Sequence, residues 1–474
     1  MTPQARELPG RLREVLDADR VLLGPEAGAA YLSDHRQLYH GRALAVVLPR
    51  SVAEVSQVLA LCAAARVGVV PQGGNTSYCG GATPDASGTQ VVLALGRLDR
   101  IRSVDTDNNA LVAEAGCILA QVQQAAAAAG RFFPLSLGSE GTCQIGGNLS
   151  TNAGGTSVLR YGMMRDLVLG LEVVLADGRV LESLTQLRKD NTGYDIKSLF
   201  LGAEGTLGVI TAASLKLFPR IRSTATALAA VADPRAAVSL LARLREASGD
   251  SVSSFELIPR LGIELTAAHI PGVADPLGAP HAWYVLCELS SSRAGEPLES
   301  RLTEALAAAY EAGLVQDAVV ARSERERAAL WRIRETIPEA QRHEGPGLKH
   351  DISVPVSALP EFVARGAAWV AAHVPAARLI AYGHVGDGNL HFNLQGRPAE
   401  AAALLARAAE VRRALHDLAA ELGGSFSAEH GIGRLKVAEL ERYAPPAELA
   451  LMHAVKRALD PNGIMNPGKV LRGA

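Results

Sequence analysis

Glycine is spread unevenly along this chain, and its crowding in the first half governs what that half can build. Three groups stand out. The first is Gly73-Gly74-Asn75-Thr76 with Gly80-Gly81, in a loop that opens at Pro71. The second runs from Pro134 to Gly155 and contains Gly138, Ser139, Thr142, Gly146, Gly147 and Asn152. The third runs from Gly202 to Thr211 through Glu204, Gly208 and Ile210. A residue without a Cβ lets backbone N–H groups come close to an anion. One such cluster reads equally well as a tight turn in a β-rich domain. Three of them, each with Ser, Thr or Asn beside the glycines, are hard to explain by turns alone. None is Gly-x-Gly-x-x-Gly opening a long helix, and none is a Walker loop, so neither of those nucleotide folds is supported.

The texture changes along the chain. Up to about Arg220 the runs are short and β-like. Ser51 to Glu54 forms a capping box for a helix to about Ala65, and Val67–Val70 reads as a strand. Leu171 to Glu182 reads as a hairpin whose Asp177-Gly178 pair supplies the positive φ angles of a two-residue turn. From about Ser223 to Gly396, helices such as Asp233–Ala247 and Leu298–Ala312 alternate with strands such as Trp283–Leu289. That rhythm predicts an α+β domain on an antiparallel sheet. Glu400–Leu422 reads as one alanine-rich amphipathic helix. The expected division is 1–220, 221–422 and a C-terminal segment 423–474.

Composition excludes several classes. With 47 Lys and Arg against 49 Asp and Glu, the net charge of −2 gives no basic excess for a general nucleic-acid binder. The five cysteines (Cys62, Cys79, Cys117, Cys143, Cys287) are scattered and never form Cys-x-x-Cys, which suits a reducing compartment. The first twenty residues lack an apolar core, and no apolar run approaches the ~20 residues of a membrane span. A soluble, cytoplasmic protein is expected.

The second half carries a different signal. Tyr382-Gly-His384-Val-Gly-Asp-Gly-Asn-Leu-His391-Phe-Asn393 sets two histidines at the ends of a glycine-rich turn. If both arms are strands, the ends can share one ion. Ser427-Ala-Glu429-His430-Gly431 offers a carboxylate beside another histidine. Two imidazoles and a carboxylate leave a position open for substrate, as in catalytic zinc sites. Taken singly, each of these histidines reads as well as a hydrogen-bonded structural residue.

The three glycine clusters in this order, with Tyr161-Gly162 after the second, resemble the FAD-binding domain of the vanillyl-alcohol oxidase superfamily. The whole chain is similar to the branch holding D-lactate, glycolate and D-2-hydroxyglutarate dehydrogenases, whose motifs Gly-His-x-Gly-Asp-Gly-Asn-x-His and Glu-His-Gly-x-Gly it matches at each motif position. The resemblance implies a two-subdomain FAD-binding domain with an α+β substrate domain. It implies that Pro71, Gly73, Gly74, Asn75, Thr76, Gly80, Gly138, Ser139 and Thr142 cradle the pyrophosphate side. Gly146, Gly147, Asn152 and Gly155 would line the ribityl and ring portions, Glu204, Gly208 and Ile210 the adenine side or flavin edge, with Asn466 brought back to the ring and Tyr161 and Gly162 also among the cofactor-binding residues. Members that attach flavin covalently often have a histidine where this chain has Asn75, so non-covalent FAD is expected.

By the same resemblance His384, His391 and Glu429 bind a divalent metal, zinc or else manganese, and His430 is the base. An alcohol proton with a pKa near ~16 is released more readily beside a divalent cation, and a histidine can accept it at neutral pH. Arg334 and Lys349 match positions that hold a substrate carboxylate, and Asn393 would hydrogen-bond the substrate. Pro338 departs from the 2-hydroxyglutarate pattern, which has a hydroxyl residue there.

The implied activity is oxidation of a D-2-hydroxy acid, D-2-hydroxyglutarate or D-malate, to the 2-oxo acid, with hydride passing to flavin N5. D-lactate or glycolate are alternatives. So, from another class, are an alkyl-glycerone-phosphate-synthase-like transferase and a flavoprotein subunit of an oxidase complex. Electron-transfer flavoprotein or a quinone would be the electron acceptor, and a homodimer is left open.

Overall fold

A computed structural model describes residues 2–397 and 399–473. The chain divides into two units: residues 1–155, 162–220 and 429–474 form the first, and 156–161 with 221–428 form the second.

The first unit contains two larger sheets and a two-stranded pair, Phe218–Pro219 with Arg131–Phe132. In the four-stranded sheet, Ala45–Val47, Val91–Ala94 and Val69–Gln72 run parallel and Val21–Leu22 closes one edge antiparallel. The five-stranded sheet is antiparallel, in the order Ile101–Asp105, Ala110–Glu114, Val209–Lys216, Val168–Val174, Val180–Ser183. The helix Val52–Ala65 begins where Ser51 accepts the Glu54 N–H at 3.2 Å, the N-cap expected from the sequence. It buries Val55, Val58, Leu59 and Cys62 together with Leu8 and Leu12 of the helix Pro3–Val15. The strand after it is Val69–Gln72, two residues later than the sequence suggested.

The hairpin near Asp177 forms, but its turn differs from expectation. Only Gly178 has positive φ (88°), Gly178 N–H donates to Leu175 O at 2.9 Å, and Leu175 N–H donates to Arg179 O at 2.8 Å. The loop is therefore longer than two residues, with one left-handed position. Asp177 instead accepts from the Arg179 N–H, a local bond that an aspartate makes readily.

The second unit is built on an antiparallel sheet in the order Asp317–Val320, Ser223–Val231, Trp283–Ser291, Val252–Pro259, Arg378–His384, Asn389–Gln395, Gly347–Leu348, with Asp351–Ser353 also pairing Asn389–Gln395. Its strands are apolar on both faces because helices cover both. Phe255, Leu257, Val285, Cys287 and Phe392 face the helices Pro234–Ser248, Leu298–Glu311 and Leu359–His373. Ile258, Tyr284, Leu286, Ile380 and Tyr382 face Arg260–His269, Glu324–Glu335 and Ile337–His343. The alanine-rich segment forms two helices, Ala401–Ala406 and Ala408–Glu421, rather than the single one expected; they break at Arg407, whose guanidinium is turned onto Glu410. The helix Glu324–Glu335 ends at Thr336, and Pro338 sits in the first turn of the next, where a missing N–H costs nothing.

One buried carboxylate fastens the helix Glu324–Glu335 to the sheet. Glu288 accepts from Arg327 Nε at 2.8 Å, Trp331 Nε1 at 2.7 Å and Thr226 Oγ1 at 2.8 Å. Removing it strands a buried indole N–H and a buried hydroxyl, so Glu288→Ala should cost roughly 2–3 kcal/mol. All three tryptophans (Trp283, Trp331, Trp369) lie in the second unit. Urea unfolding followed by tryptophan fluorescence should show a lowered midpoint. An unshifted midpoint would mean the helix does not depend on Glu288.

Candidate active site

In the first unit the three glycine clusters converge although far apart in sequence. A Cβ on Gly74 would stand 2.2 Å from the Thr142 carbonyl oxygen, so only glycine lets the first loop lie against the second. Gly73 faces Gln144 and Gly147 in the same way, at ordinary contact distance. The second loop turns as Thr142 and Cys143 N–H groups donate to Ser139 O, and it enters the helix Ile145–Ser150 that holds Gly146 and Gly147. Gly146 packs tightly on the Ala115 Cβ, Gly155 on the Ser136 backbone and Gly162 on Asp166. Asn152 is left-handed and accepts the Arg165 N–H at 2.8 Å. Pro71 ends up beside Gly205, and Gly80 against Tyr39. Thr76 lies in the same half-buried loop as Asn75.

The third cluster joins them through Glu204, whose N–H donates to Ser150 O at 2.8 Å. Its carboxylate accepts the N–H groups of Ile432 at 2.7 Å and Gly433 at 2.8 Å. Burial nonetheless pushes its pKa up, with the two N–H donors opposing. Glu204 thus holds the loop that carries His430. Asn466 completes the junction by donating to Gly81 O at 2.9 Å and Glu204 O at 2.7 Å. Gly208 and Ile210 are committed to packing, against Val173 and within the strand Val209–Lys216. Tyr161 belongs to the second unit, with Arg160 over its ring.

These residues suit a large polar cofactor. Among the described residues, the buried acceptors Gln144 Oε1, Asn148 Oδ1 and Asn466 Oδ1 have no hydrogen-bond partner, and a Cβ at Gly138 or Gly147 would meet nothing within 4 Å. Asn75 uses its amide to donate to Ala30 O at 3.1 Å and Ser33 O at 2.7 Å, which holds the first loop in place. His430 packs edge-on to Tyr78, with ring centroids 4.7 Å apart.

In the second unit the two expected arms are the strands Arg378–His384 and Asn389–Gln395, joined by the glycine turn. Gly388 is needed there: its φ is +83° and a Cβ would stand 2.0 Å from Val354 O. His384 and His391 lie 6.0 Å apart by ring centroid. The ligand atoms of His384, His391 and Glu429 lie within 4.8 Å of one another. Ligands on one tetrahedral zinc stand ~3.4 Å apart, so this donor set suits such an ion.

Sequence reasoning missed Glu256. It pairs directly opposite His384 across the strand Val252–Pro259, and opposite residues share a face. Its Oε1 lies 2.5 Å from His384 Nδ1 and its Oε2 accepts from Arg334 Nε at 2.7 Å. Burial alone would raise its pKa, but the His384 and Arg334 charges and hydrogen bonds bring it down to about 2. An ionised carboxylate can only accept, so His384 carries its proton on Nδ1 and presents Nε2 as the ligand atom. The available signal was a charged residue in the middle of an apolar strand. Asp387, in the glycine turn, was missed as well. Burial raises its pKa to about 6 against the opposing His384 charge.

Of the residues expected to touch substrate, Arg334 is buried and lies over the Tyr382 ring at 4.9 Å, and Lys349 is exposed. Asn393 is buried, donating to Gln341 Oε1 at 3.1 Å and accepting the His350 N–H at 3.2 Å.

Residues 43–183 match the FAD binding domain family and 220–470 match the family of FAD linked oxidases, C-terminal domain. The chain belongs to the FAD-linked oxidases and is a flavin-dependent oxidoreductase. It is 40% identical over 434 residues to the probable D-2-hydroxyglutarate dehydrogenase, mitochondrial, of Oryza sativa subsp. indica, covering 91% of this chain and 76% of that protein. It is 38% identical to the Arabidopsis thaliana D-2-hydroxyglutarate dehydrogenase, mitochondrial (97% and 80% covered), and 35% to the D-2-hydroxyglutarate dehydrogenase of Xanthomonas citri pv. viticola (97% and 96%). Solved structures of alkyldihydroxyacetonephosphate synthase (TM-score 0.73, 18% identity, 97% of this chain and 84% of that one) and p-cresol methylhydroxylase (TM-score 0.76, 16%, 99% and 97%) share the fold. The architecture is the α+β fold of the vanillyl-alcohol oxidase type.

The expectation of a cytoplasmic protein is overturned: the rice and Arabidopsis relatives are named mitochondrial rather than cytoplasmic. Buried free cysteines fit any reducing interior and could not separate the two. Among the described residues no helix is long and apolar enough to cross a membrane.

The contact between the first two glycine loops generates a test. Gly74→Ala forces backbone apart, at a cost of ~1–3 kcal/mol, so FAD should be held ~10–100-fold more weakly by a chain with unchanged circular dichroism. Unaltered FAD affinity would show that loop contact to be unnecessary for the flavin.

Proposed function

We propose that the chain is a dehydrogenase that oxidises D-2-hydroxyglutarate to the 2-oxo diacid, using non-covalently bound FAD and a divalent metal, zinc or manganese. The observation that carries this reading is the 35–40% identity, over nine-tenths or more of the chain, to relatives named for that activity. The donor set at His384, His391 and Glu429 supports the metal. Asn75 supports the non-covalent flavin, because its amide offers no imidazole for a link.

Bound FAD supplies an acceptor for the C2 hydrogen as hydride. A bound divalent cation supplies positive charge that makes the substrate hydroxyl easier to ionise. The protein provides the rest. His430 takes the hydroxyl proton at neutral pH, so one proton and one hydride leave C2 and its oxygen and a ketone remains. Arg334 and Lys349 hold the distal carboxylate, and Asn393 contributes a polar edge nearby. Glu204 keeps the His430 loop in shape. Electrons leave for an acceptor such as an electron-transfer flavoprotein or a quinone.

A panel of D- and L-2-hydroxy acids with an artificial dye acceptor tests this. D-2-hydroxyglutarate should be used far better than D-lactate, and L-2-hydroxyglutarate should be inert. Loss of a charge-assisted hydrogen bond costs ~1.5–3 kcal/mol, so Arg334→Ala should lower efficiency on the diacid roughly ten- to a hundredfold. D-lactate, which has no second carboxylate, should be affected much less. A diacid-to-lactate ratio unchanged by Arg334→Ala would make the arginine structural and reassign the substrate.

A further inference from the structure

We infer that Glu256 is a positioning residue that ties the metal-binding and carboxylate-binding ends of the site together. The inference rests on the function proposed above and adds a residue to it. Glu256 is 1% exposed and spends one oxygen on His384 Nδ1 and the other on Arg334 Nε. Both partners are donors, so the position requires two acceptors on one planar group. A carboxylate has them; an amide does not, because its NH2 end would face a donor. A carboxylate behind a ligating imidazole fixes its tautomer and ring plane, and losing such a partner typically weakens metal binding ~10–100-fold. The same group sets where the Arg334 fork points. The charged groups acting on it include the strand partner His384, Arg334 from the helix Glu324–Glu335, and Asp387 from the turn.

A purely structural role, fastening that helix to the sheet, is the competing explanation. The protein carries its own control. Glu288, on the neighbouring strand, fastens the same helix through Arg327 and Trp331 and spends its carboxylate on them and on Thr226. Glu256 and Glu288 therefore separate anchoring from positioning.

Zinc affinity of the flavin-loaded full chain, measured by competition with a chromogenic chelator, distinguishes them. Glu256→Gln should weaken zinc binding ~10–100-fold and raise the KM for D-2-hydroxyglutarate more than that for D-lactate, with flavin content unchanged. Glu288→Gln should lower stability and leave zinc affinity as it was. Should Glu256→Gln fold poorly, Glu256→Asp keeps the charge but shortens the reach, and should still bind zinc more weakly than wild type. His384→Ala tells the two possible failures apart. If it loses zinc while both Glu256 variants bind it normally, Glu256 is structural and this inference fails alone. If His384→Ala binds zinc as tightly as wild type, the metal reading fails and takes the inference with it.

Discussion

The antiparallel register between Val252–Pro259 and Arg378–His384 is the constraint on which the second unit's site depends. It sets Glu256 across from His384, and the hairpin that follows returns His391 beside Tyr382 on the same face. A slip of one residue would turn all of these side chains to the opposite face. The helix Glu324–Glu335 then lies over that face with Arg327, Trp331 and Arg334 directed at the two buried carboxylates. Buried ion pairs are weak contributors to net stability but expensive to break. Their value here is geometric: they hold an imidazole and a guanidinium in fixed orientations.

In the first unit, backbone proximity plays the corresponding part. Gly74 against Thr142 and Asn466 against Gly81 and Glu204 bring distant segments within van der Waals or hydrogen-bond reach. The glycines do two different jobs. Those at 74, 146 and 155 are glycine because protein backbone or a neighbouring Cβ occupies the space, whereas at 138 and 147 the space is open. Only the second kind answers to a ligand approaching the backbone. Glu204 extends this packing to the segment bearing His430, so that residue and the glycine loops share one support.

Local signals were the legible part of the sequence. Ser51 and Asp233 cap the helices that their positions promised, and the glycine turn between His384 and His391 joins two strands as its flanks suggested. The illegible part is non-local. Glu256 and His384 are 128 residues apart, and no spacing rule links them; only strand pairing does. Asn393 has the right alternation to share a face with His391, yet its amide is bound to Gln341 and the His350 N–H, partners the local sequence could not name. The break at Arg407 was hidden by alanine, which favours helix equally on both sides.

The most direct test of the account is an anaerobic titration of the chelator-treated, flavin-loaded chain with D-2-hydroxyglutarate, read from the visible absorbance of the flavin. The account predicts a flavin spectrum that survives chelation, stays unbleached with substrate, and bleaches once zinc is returned. Bleaching at full rate without metal, or none after zinc is restored, would contradict it.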